Sequence, residues 1–168
     1  MSSYAFSSSD LTELIGITPI HLNALVHRSL YGIKASISDR HGEIKVRIFS
    51  EEDTFGVALA WMLFEAGLRT EPIRDALNDL LSTEEPDVNS AAEFLLDSEA
   101  DFLVVVREPR KSKDKAEPQV WIERAMKEDL DEIVSTFLAK HPTANVLVVP
   151  VGAKFADIRK QIDRIYGE

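Results

Sequence analysis

The sequence contains no cysteine among its 168 residues. This absence excludes disulfide bonds, thiol catalysis and zinc sites built on Cys ligands. The chain also lacks a run of about eighteen apolar residues, so no segment is predicted to cross a membrane. Its first residues, Met1–Tyr4, have neither the basic patch nor the apolar stretch of a secretory signal. We therefore expect a cytoplasmic protein.

Positive charge is scarce as well. The chain has 19 Lys and Arg against 29 Asp and Glu, a formal net charge of −10. Both halves share the deficit: residues 1–82 carry 7 basic and 11 acidic groups, and residues 83–168 carry 12 and 18. Phosphate contacts come from Lys and Arg, so this balance argues against a general nucleic-acid binder. DNA binding would require a local basic surface.

Two short helices are predicted near the N-terminus. Ser7 and Asp10 have the spacing of a capping box, and Gly16 suits a left-handed helix end. Thr18 and Pro19 then suit the N-cap and first position of a second helix. Two short helices joined by a few residues that include Gly are typical of a helix-turn-helix.

A β-hairpin is predicted next, because the hydrophobic period changes from helical spacing to alternation. Ile44–Phe49 alternates as a strand does. Ile33–Ile37 is predicted to pair with it through a turn at Ser38–Gly42, where Gly42 would supply a positive φ. Such a hairpin would form the wing of a winged helix-turn-helix.

Two more helices follow the hairpin. Ser50 and Asp53 form a second capping-box pattern, and Gly67 is predicted to end the helix behind it. The apolar stripe of this amphipathic helix comprises Phe55, Ala58, Leu59, Met62, Leu63 and Ala66. Thr70 is predicted to cap the next helix. Its inward residues would be Ile73, Ala76, Leu77 and Leu80.

The second half, from residue 91 to residue 168, is predicted to be a small α/β domain behind a polar linker at residues 83–90. The predicted order is αββαβα with a three-stranded sheet, which makes the whole chain an α+β protein. Phe102–Val106 is apolar enough for a strand buried on both faces, and Gln119–Glu123 would be its hairpin partner. The other predicted elements are helices at Ala91–Leu96, Asp129–Lys140 and Ala153–Tyr166 and a strand at Asn145–Val151.

Five short segments of the first half occur in an order that is typical of a known family. They are Phe6–Leu11, Leu14–Thr18, Ser29–Leu30, Val46–Asp53 and Glu65–Leu68. Taken together they resemble the MerR family of bacterial transcriptional regulators. The resemblance implies that residues 1–82 form a MerR-like winged helix-turn-helix, which binds duplex DNA as a dimer.

The resemblance weakens at the surface that would contact DNA. The family's recognition helix usually opens with Arg near the position of Ile20, and it carries Arg-Tyr-Tyr where this chain has Asn23–Leu25. Pro86 and a short helix stand where family members continue into a long dimerisation helix. Sensing of metals through Cys, which is common in the family, is excluded here.

DNA contacts are expected from the recognition helix, Pro19–Arg28, in the major groove and from the wing on the backbone. Asn23 is the residue type that bonds adenine, and the helix starts offer free N–H groups to a phosphate. Arg40 and His41 would lie at the wing tip, within reach of a phosphate or the minor groove. The full predicted set is Ser8, Thr18, His21, Asn23, Arg28, Lys34, Arg40, His41, Lys45 and Arg47. The open alternative is that these are ordinary solvated side chains.

No constellation of catalytic residues is apparent in the sequence. The four histidines have no carboxylates at metal-ligand spacing, and Ser7–Ser9 lacks the glycines of a nucleophile elbow. Val149–Lys154 follows a strand and opens a helix, but it lacks the further glycines and the Lys-Ser/Thr ending of a P-loop. We therefore expect a protein that is not an enzyme and that uses no metal or cofactor.

Two functional hypotheses follow from these patterns. The first is a bacterial MerR-like transcriptional regulator that binds double-stranded DNA as a homodimer, with the C-terminal domain dimerising or binding an effector or partner protein. The second is a protein-interaction module on a winged-helix scaffold that has lost DNA binding. In that case an exposed Ile20 would serve as an apolar anchor.

Overall fold

The computed structural model describes residues 4–27, 33, 36–40, 44–68, 77, 80–81, 88–109 and 119–167. It shows a mixed α+β protein. The helices are α1 (Ser8–Ile15), α2 (Pro19–His27), α3 (Glu51–Glu65), α4 (Val88–Asp97), α5 (Leu130–Lys140) and α6 (Val151–Tyr166). The strands are β1 (Phe6–Ser7), β2 (Ser36–Arg40), β3 (Ile44–Phe49), β4 (Phe102–Arg107), β5 (Val120–Ala125) and β6 (Asn145–Val149).

Some predicted features fall partly or wholly beyond these residues. Leu77, Leu80 and Leu81 are helical, as the predicted helix behind Thr70 requires, but the rest of that helix lies outside the described residues. The first part of the predicted linker, residues 83–87, also lies outside them. None of the described helices is long and apolar enough to cross a membrane.

The helix starts form as the capping patterns predict. Ser7 Oγ accepts a hydrogen bond from the Asp10 N–H at 3.3 Å, and the Asp10 carboxylate accepts one from the Ser7 N–H at 2.7 Å. Ser50 and Asp53 make the same reciprocal pair at the start of α3. Because the first N–H groups of a helix have no partner within it, these side chains fix where α1 and α3 begin. Gly16 ends α1 at a φ of 81°, the left-handed conformation predicted for it.

The hairpin is present, with different bounds for its first strand. β2 covers Ser36–Arg40 and pairs antiparallel with β3 from Ser36 opposite Ile48 to Arg40 opposite Ile44. The predicted strand at Ile33–Ile37 and the predicted turn at Ser38–Gly42 are therefore wrong by three residues. Pairing continues until only residues 41–43 remain to connect the strands, and hairpin connections of that length are common. A third strand joins on the other side of β3, where β1 places Phe6 opposite Phe49.

Helix α3 is buried on all sides, whereas the sequence predicts one apolar face. Every residue from Thr54 to Trp61 is buried. Four residues of the predicted stripe are buried and Met62 and Ala66 are half-buried, but Gly56 and Ala60, which lie off that stripe, are buried as well. The reason is that α4 packs along this other side of α3: a Cβ on Gly56 would clash with the side chain of Asn89. Glycine is required for so close an approach of the two helices.

The second half has the predicted order αββαβα and the predicted three-stranded sheet. The strand order is β5-β4-β6, and both neighbours of β4 are antiparallel to it. The central strand β4 is buried on both faces, as its apolar composition indicates. One face of the sheet joins the main core, and α5 covers the other through Val104, Val106 and half-buried apolar residues of the helix. α4 begins at Val88, three residues before the predicted Ala91, because Val88 itself is fully buried.

The main core continues across the predicted linker. A single cluster of buried side chains includes residues from α1, α2 and α3 and also from α4, α6 and the second sheet. Phe55 of α3 and Phe155 of α6 meet edge to face, with ring centroids 5.3 Å apart. The Lys154 ammonium group donates a hydrogen bond of 2.9 Å to the carbonyl of Ile15, the last residue of α1. The two halves therefore cover each other's apolar surface.

The shared core predicts that the two halves unfold together. The chain has one tryptophan in each half, Trp61 and Trp121, so the variants Trp121→Phe and Trp61→Phe each leave a single reporter. In each variant, urea unfolding followed by tryptophan fluorescence should coincide with unfolding followed by far-UV circular dichroism. Separate midpoints for the two probes would contradict a common core.

Phe155→Ala provides a sharper version of the same experiment. Removal of a buried ring at the contact between the halves should lower the free energy of unfolding by about 3–5 kcal/mol. Because the core is shared, the loss should be the same whether Trp61 or Trp121 reports it. A loss confined to the Trp121 signal would mean that the halves are energetically independent.

Candidate nucleic-acid interface

The outer face of α2 is defined by which of its residues are buried. Leu22 and Leu25 point into the core and are 2% and 4% exposed. Ile20, Asn23 and His27 are exposed, and their spacing of three and four residues places them on one stripe of the helix. This stripe is the surface that a recognition helix would present to a DNA groove.

Arg47 of the hairpin lies against this stripe. Its guanidinium Nη1 donates a hydrogen bond of 2.5 Å to Asn23 Oδ1, across 24 residues of sequence. Arg47 stands two residues before the buried Phe49, so both side chains leave the same face of β3. The sequence predicts that Arg47 points away from the core. Its hydrogen bond to Asn23 places its guanidinium group at the outer stripe of α2.

The charge around this contact differs from that of the whole chain. Residues 14–50, which include α2 and both hairpin strands, contain five Lys and Arg and two acidic residues, a net charge of +3. The segment of α2 has no acidic residue at all. DNA binding by an acidic chain requires a basic surface, and of these five residues Arg47 is the one whose side chain the structure describes.

His21 and Thr18 bond to each other. The Thr18 hydroxyl lies 2.7 Å from His21 Nδ1 and also accepts the His21 N–H at 3.3 Å, which makes Thr18 the predicted cap of α2. The His21 ring packs against two rings of α3, with centroids 5.0 Å from Trp61 and 5.4 Å from Phe64. We call His21, Trp61 and Phe64 the aromatic patch. His21 thus borders the exposed stripe of α2 and faces α3.

For the other predicted contact residues the structure gives only a position in an element, or they lie outside the described residues. Ser8 is the first residue of α1 and is half-buried. Arg40 is the last residue of β2, and Lys45 is the second residue of β3, so both lie in the hairpin next to its connection. Arg28, Lys34 and His41 lie outside the described residues. The structure therefore brings together Asn23 and Arg47 in one contact and Thr18 and His21 in another.

Two exposed apolar residues extend the interface beyond the predicted set. Ile20, which the second hypothesis uses, is 79% exposed, and Phe64 is 46% exposed. The ring of Phe64 stacks on Trp61 at 5.4 Å, within the aromatic patch. Only one sequence signal points to Phe64: it is a large apolar residue off the predicted stripe of its helix. Nothing in the sequence places it beside α2.

No protein-family model matches this chain, and no curated protein matches it. Within the described part of the chain, no group of three or more His, Asp or Glu residues is arranged to hold a metal ion.

Proposed function

We propose that the chain is a DNA-binding protein, a MerR-like transcriptional regulator with a winged helix-turn-helix. In this proposal α2 enters the major groove and the β2–β3 hairpin lies on the DNA backbone. The observation that supports it best is the contact between Arg47 and Asn23. It joins the hairpin and the outer stripe of α2 into one polar surface, with side chains suited to phosphates and base edges.

The chemistry of this contact fits readout of adenine. An Asn amide pairs with adenine by accepting from N6–H and donating to N7. Asn23 Oδ1 has two lone pairs, and Arg47 uses one of them, so the amide remains free to make both bonds. Arg47 would orient the amide and direct its other N–H groups to a phosphate. An exposed Ile20 near the start of α2 is compatible with contact to a thymine methyl group.

Electrostatics predicts how such binding would behave. A net charge of −10 opposes association with DNA, and the excess of basic residues within residues 14–50 offsets only part of it. Binding by one copy should therefore be weak and steeply dependent on salt. Two copies on adjacent half-sites would add their contacts, which is why the proposal includes a dimer.

The first prediction concerns Arg47. Fluorescence anisotropy with a pool of random duplex DNA should show binding at low salt that falls steeply towards physiological salt. Arg47→Ala should weaken binding to all sequences and flatten the dependence of log K on log salt by about one phosphate contact. Arg164→Ala is the matched control, because Arg164 is an exposed arginine on α6 and its loss changes the net charge equally.

The outcomes separate clearly. Equal effects of Arg47→Ala and Arg164→Ala would mean that only the net charge affects DNA affinity. The wing would then not contact DNA through Arg47. No binding by the wild type even at low salt would contradict DNA binding altogether.

The second prediction concerns Asn23 and requires a preferred sequence, selected from the random pool. Asn23→Ala should reduce the preference for that sequence by about 1–3 kcal/mol, the usual worth of one bidentate base contact. Affinity for unrelated sequences should change little. His27→Ala, on the same stripe of α2, serves as the comparison. An equal loss of affinity for all sequences would mean that Asn23 contacts the DNA backbone. The preference for the selected sequence would then need another explanation.

A second candidate function is supported by a specific observation. Ile20, on the outer stripe of α2, is 79% exposed, and Phe64, which stacks on Trp61, is 46% exposed. Large exposed apolar side chains are typical of a protein-binding surface. In this alternative the winged scaffold binds a partner protein through α2 and the aromatic patch and does not bind DNA.

The variant Ile20→Ala separates the two candidates. If α2 binds a protein, Ile20→Ala should abolish capture of that partner in pull-downs, and Arg47→Ala should leave capture intact. Ile165→Ala is the matched control, because Ile165 is 55% exposed on α6, away from α2. Capture that survives Ile20→Ala, or that Ile165→Ala reduces equally, would rule out α2 as the anchor.

A further inference from the structure

A cleft lies where the first half of the chain meets the second. Its volume is about 570 Å³, which is within the range of small-molecule binding sites. Its lining comes mainly from the last turns of α3, the end of β6 and the first turns of α6. Most of the lining residues are apolar, and three are charged. The cleft therefore combines an apolar surface with a small number of polar groups, as ligand sites do.

The apolar surface of the cleft is open to solvent. Val148 is 42% exposed and Met62 is half-buried, so the chain itself does not fill the space between them. Trp61, a member of the aromatic patch, lines the same space. A ligand with an apolar body would remove these side chains from water, which favours its binding.

The three charged side chains of the cleft do not pair with one another. They are Glu65 at the end of α3 and Lys154 and Asp157 of α6. Among the described residues, none of the three takes part in an ion pair, and Glu65 makes no side-chain hydrogen bond. Charges of both signs therefore remain available to a ligand.

The positive charge of the cleft lies at the start of α6. Lys154 uses one N–H group for the carbonyl of Ile15 and keeps two for another acceptor. The helix begins at Val151 without a side-chain cap, so its N-terminal end adds partial positive charge beside Lys154. This end of the cleft suits a carboxylate.

The negative charge of the cleft lies on both helices. Asp157 is three residues after Lys154, so the two side chains are neighbours on one face of α6. Its Oδ2 accepts a hydrogen bond from Gln161, and its other carboxylate oxygen remains free. Glu65 is the last residue of α3, where the end of the helix carries partial negative charge. These carboxylates suit an ammonium group.

We propose that the cleft binds a short apolar peptide with free ends. The peptide carboxylate pairs with Lys154, its ammonium group pairs with Asp157 and Glu65, and its side chains cover the apolar surface. An extended dipeptide spans about 7 Å, close to the pitch of about 5.4 Å that separates neighbours on one helix face. An anion alone would meet two carboxylates, and a cation alone would leave Lys154 unpaired. The cleft is apart from the outer stripe of α2, so this proposal does not rest on DNA binding.

The first experiment titrates leucyl-phenylalanine into the variant Trp121→Phe, in which Trp61 is the only tryptophan. Because Trp61 lines the cleft, its fluorescence should change and saturate as the dipeptide binds. Two analogues are the matched ligands: N-acetyl-leucyl-phenylalanine lacks the ammonium group, and leucyl-phenylalaninamide lacks the carboxylate. Both should bind more weakly than the free dipeptide.

Two results of this titration would overturn the proposal. One is the absence of a saturable change at millimolar concentrations of leucyl-phenylalanine. The other is an amide that binds as tightly as the free dipeptide, because the cleft would then select a cation and Lys154 would have no role.

The second experiment locates the ammonium group. Glu65→Gln and Asp157→Asn should each weaken binding of the free dipeptide about two- to fivefold, the usual effect of one exposed ion pair. Neither should weaken binding of the N-acetyl form, which has no ammonium group. Glu52→Gln is the matched control, because Glu52 is an exposed glutamate near the other end of α3.

The outcomes of the second experiment are also distinct. Equal effects of Glu52→Gln and Glu65→Gln would mean that only the net charge affects affinity, which contradicts binding in the cleft. Equal weakening of the free and N-acetyl dipeptides would contradict the proposed orientation. All of these titrations use the chain without DNA, so they and the DNA titration can fail separately.

Discussion

The burial of α3 on every side between Thr54 and Trp61 is the constraint on which the rest of this structure depends. From Thr54 to Phe64 the helix has no charged residue, and no single neighbour can cover a helix that is apolar all round. The first half covers part of it, and α4 and α6 from the second half cover the rest. The contact of Gly56 with Asn89 leaves no room for another atom between α3 and α4. The two sheets are thus held relative to one another through a helix that both halves share.

This arrangement also links the candidate interface to the rest of the molecule. The C-terminal part of α3 carries Trp61 and Phe64, which pack against His21 at the start of α2. Its N-terminal part carries Phe55, which meets Phe155 of α6. α2 and α6 therefore contact the same helix, α3, near its two ends. A regulator of the proposed kind would need such a link between its two halves.

The local features of the fold could be predicted from the sequence, and those that depend on distant partners could not. Helix ends are fixed by a few neighbouring residues, so their sequence patterns suffice to predict them. The examples are Ser7 with Asp10, Ser50 with Asp53, and Gly16. The apolar run of β4 likewise predicts a strand that is buried on both faces. The bounds of β2 are harder to predict, because pairing with β3 competes with the turn preferences of Ser38–Arg40 and extends the strand through them. The full burial of α3 depends on α4, more than twenty residues further on.

The candidate site also combines features that the sequence predicts with features that depend on the tertiary fold. The residue types of Asn23 and Arg47 make them candidate DNA contacts, but only the tertiary fold makes them touch. Alternation along β3 predicts that Arg47 points outward, but it does not predict that the guanidinium group bonds to Asn23 of α2. His21 was predicted as a contact because it is polar and near the start of α2. Its position against Trp61 and Phe64 follows from the packing of α2 on α3, which no local pattern encodes.

The hydrogen bond from Lys154 to the Ile15 carbonyl has a consequence for the order of folding. Helix α1 has no basic residue in its last turn, and the cation that lies at its C-terminal end comes from 139 residues later in the chain. Tyr166, at the end of α6, likewise packs on Tyr4 and Phe6. As the ribosome makes the chain from its N-terminus, α1 emerges long before these partners do. Helix α1 is therefore completed only after α6 has been synthesised, because its cation lies 139 residues later in the chain.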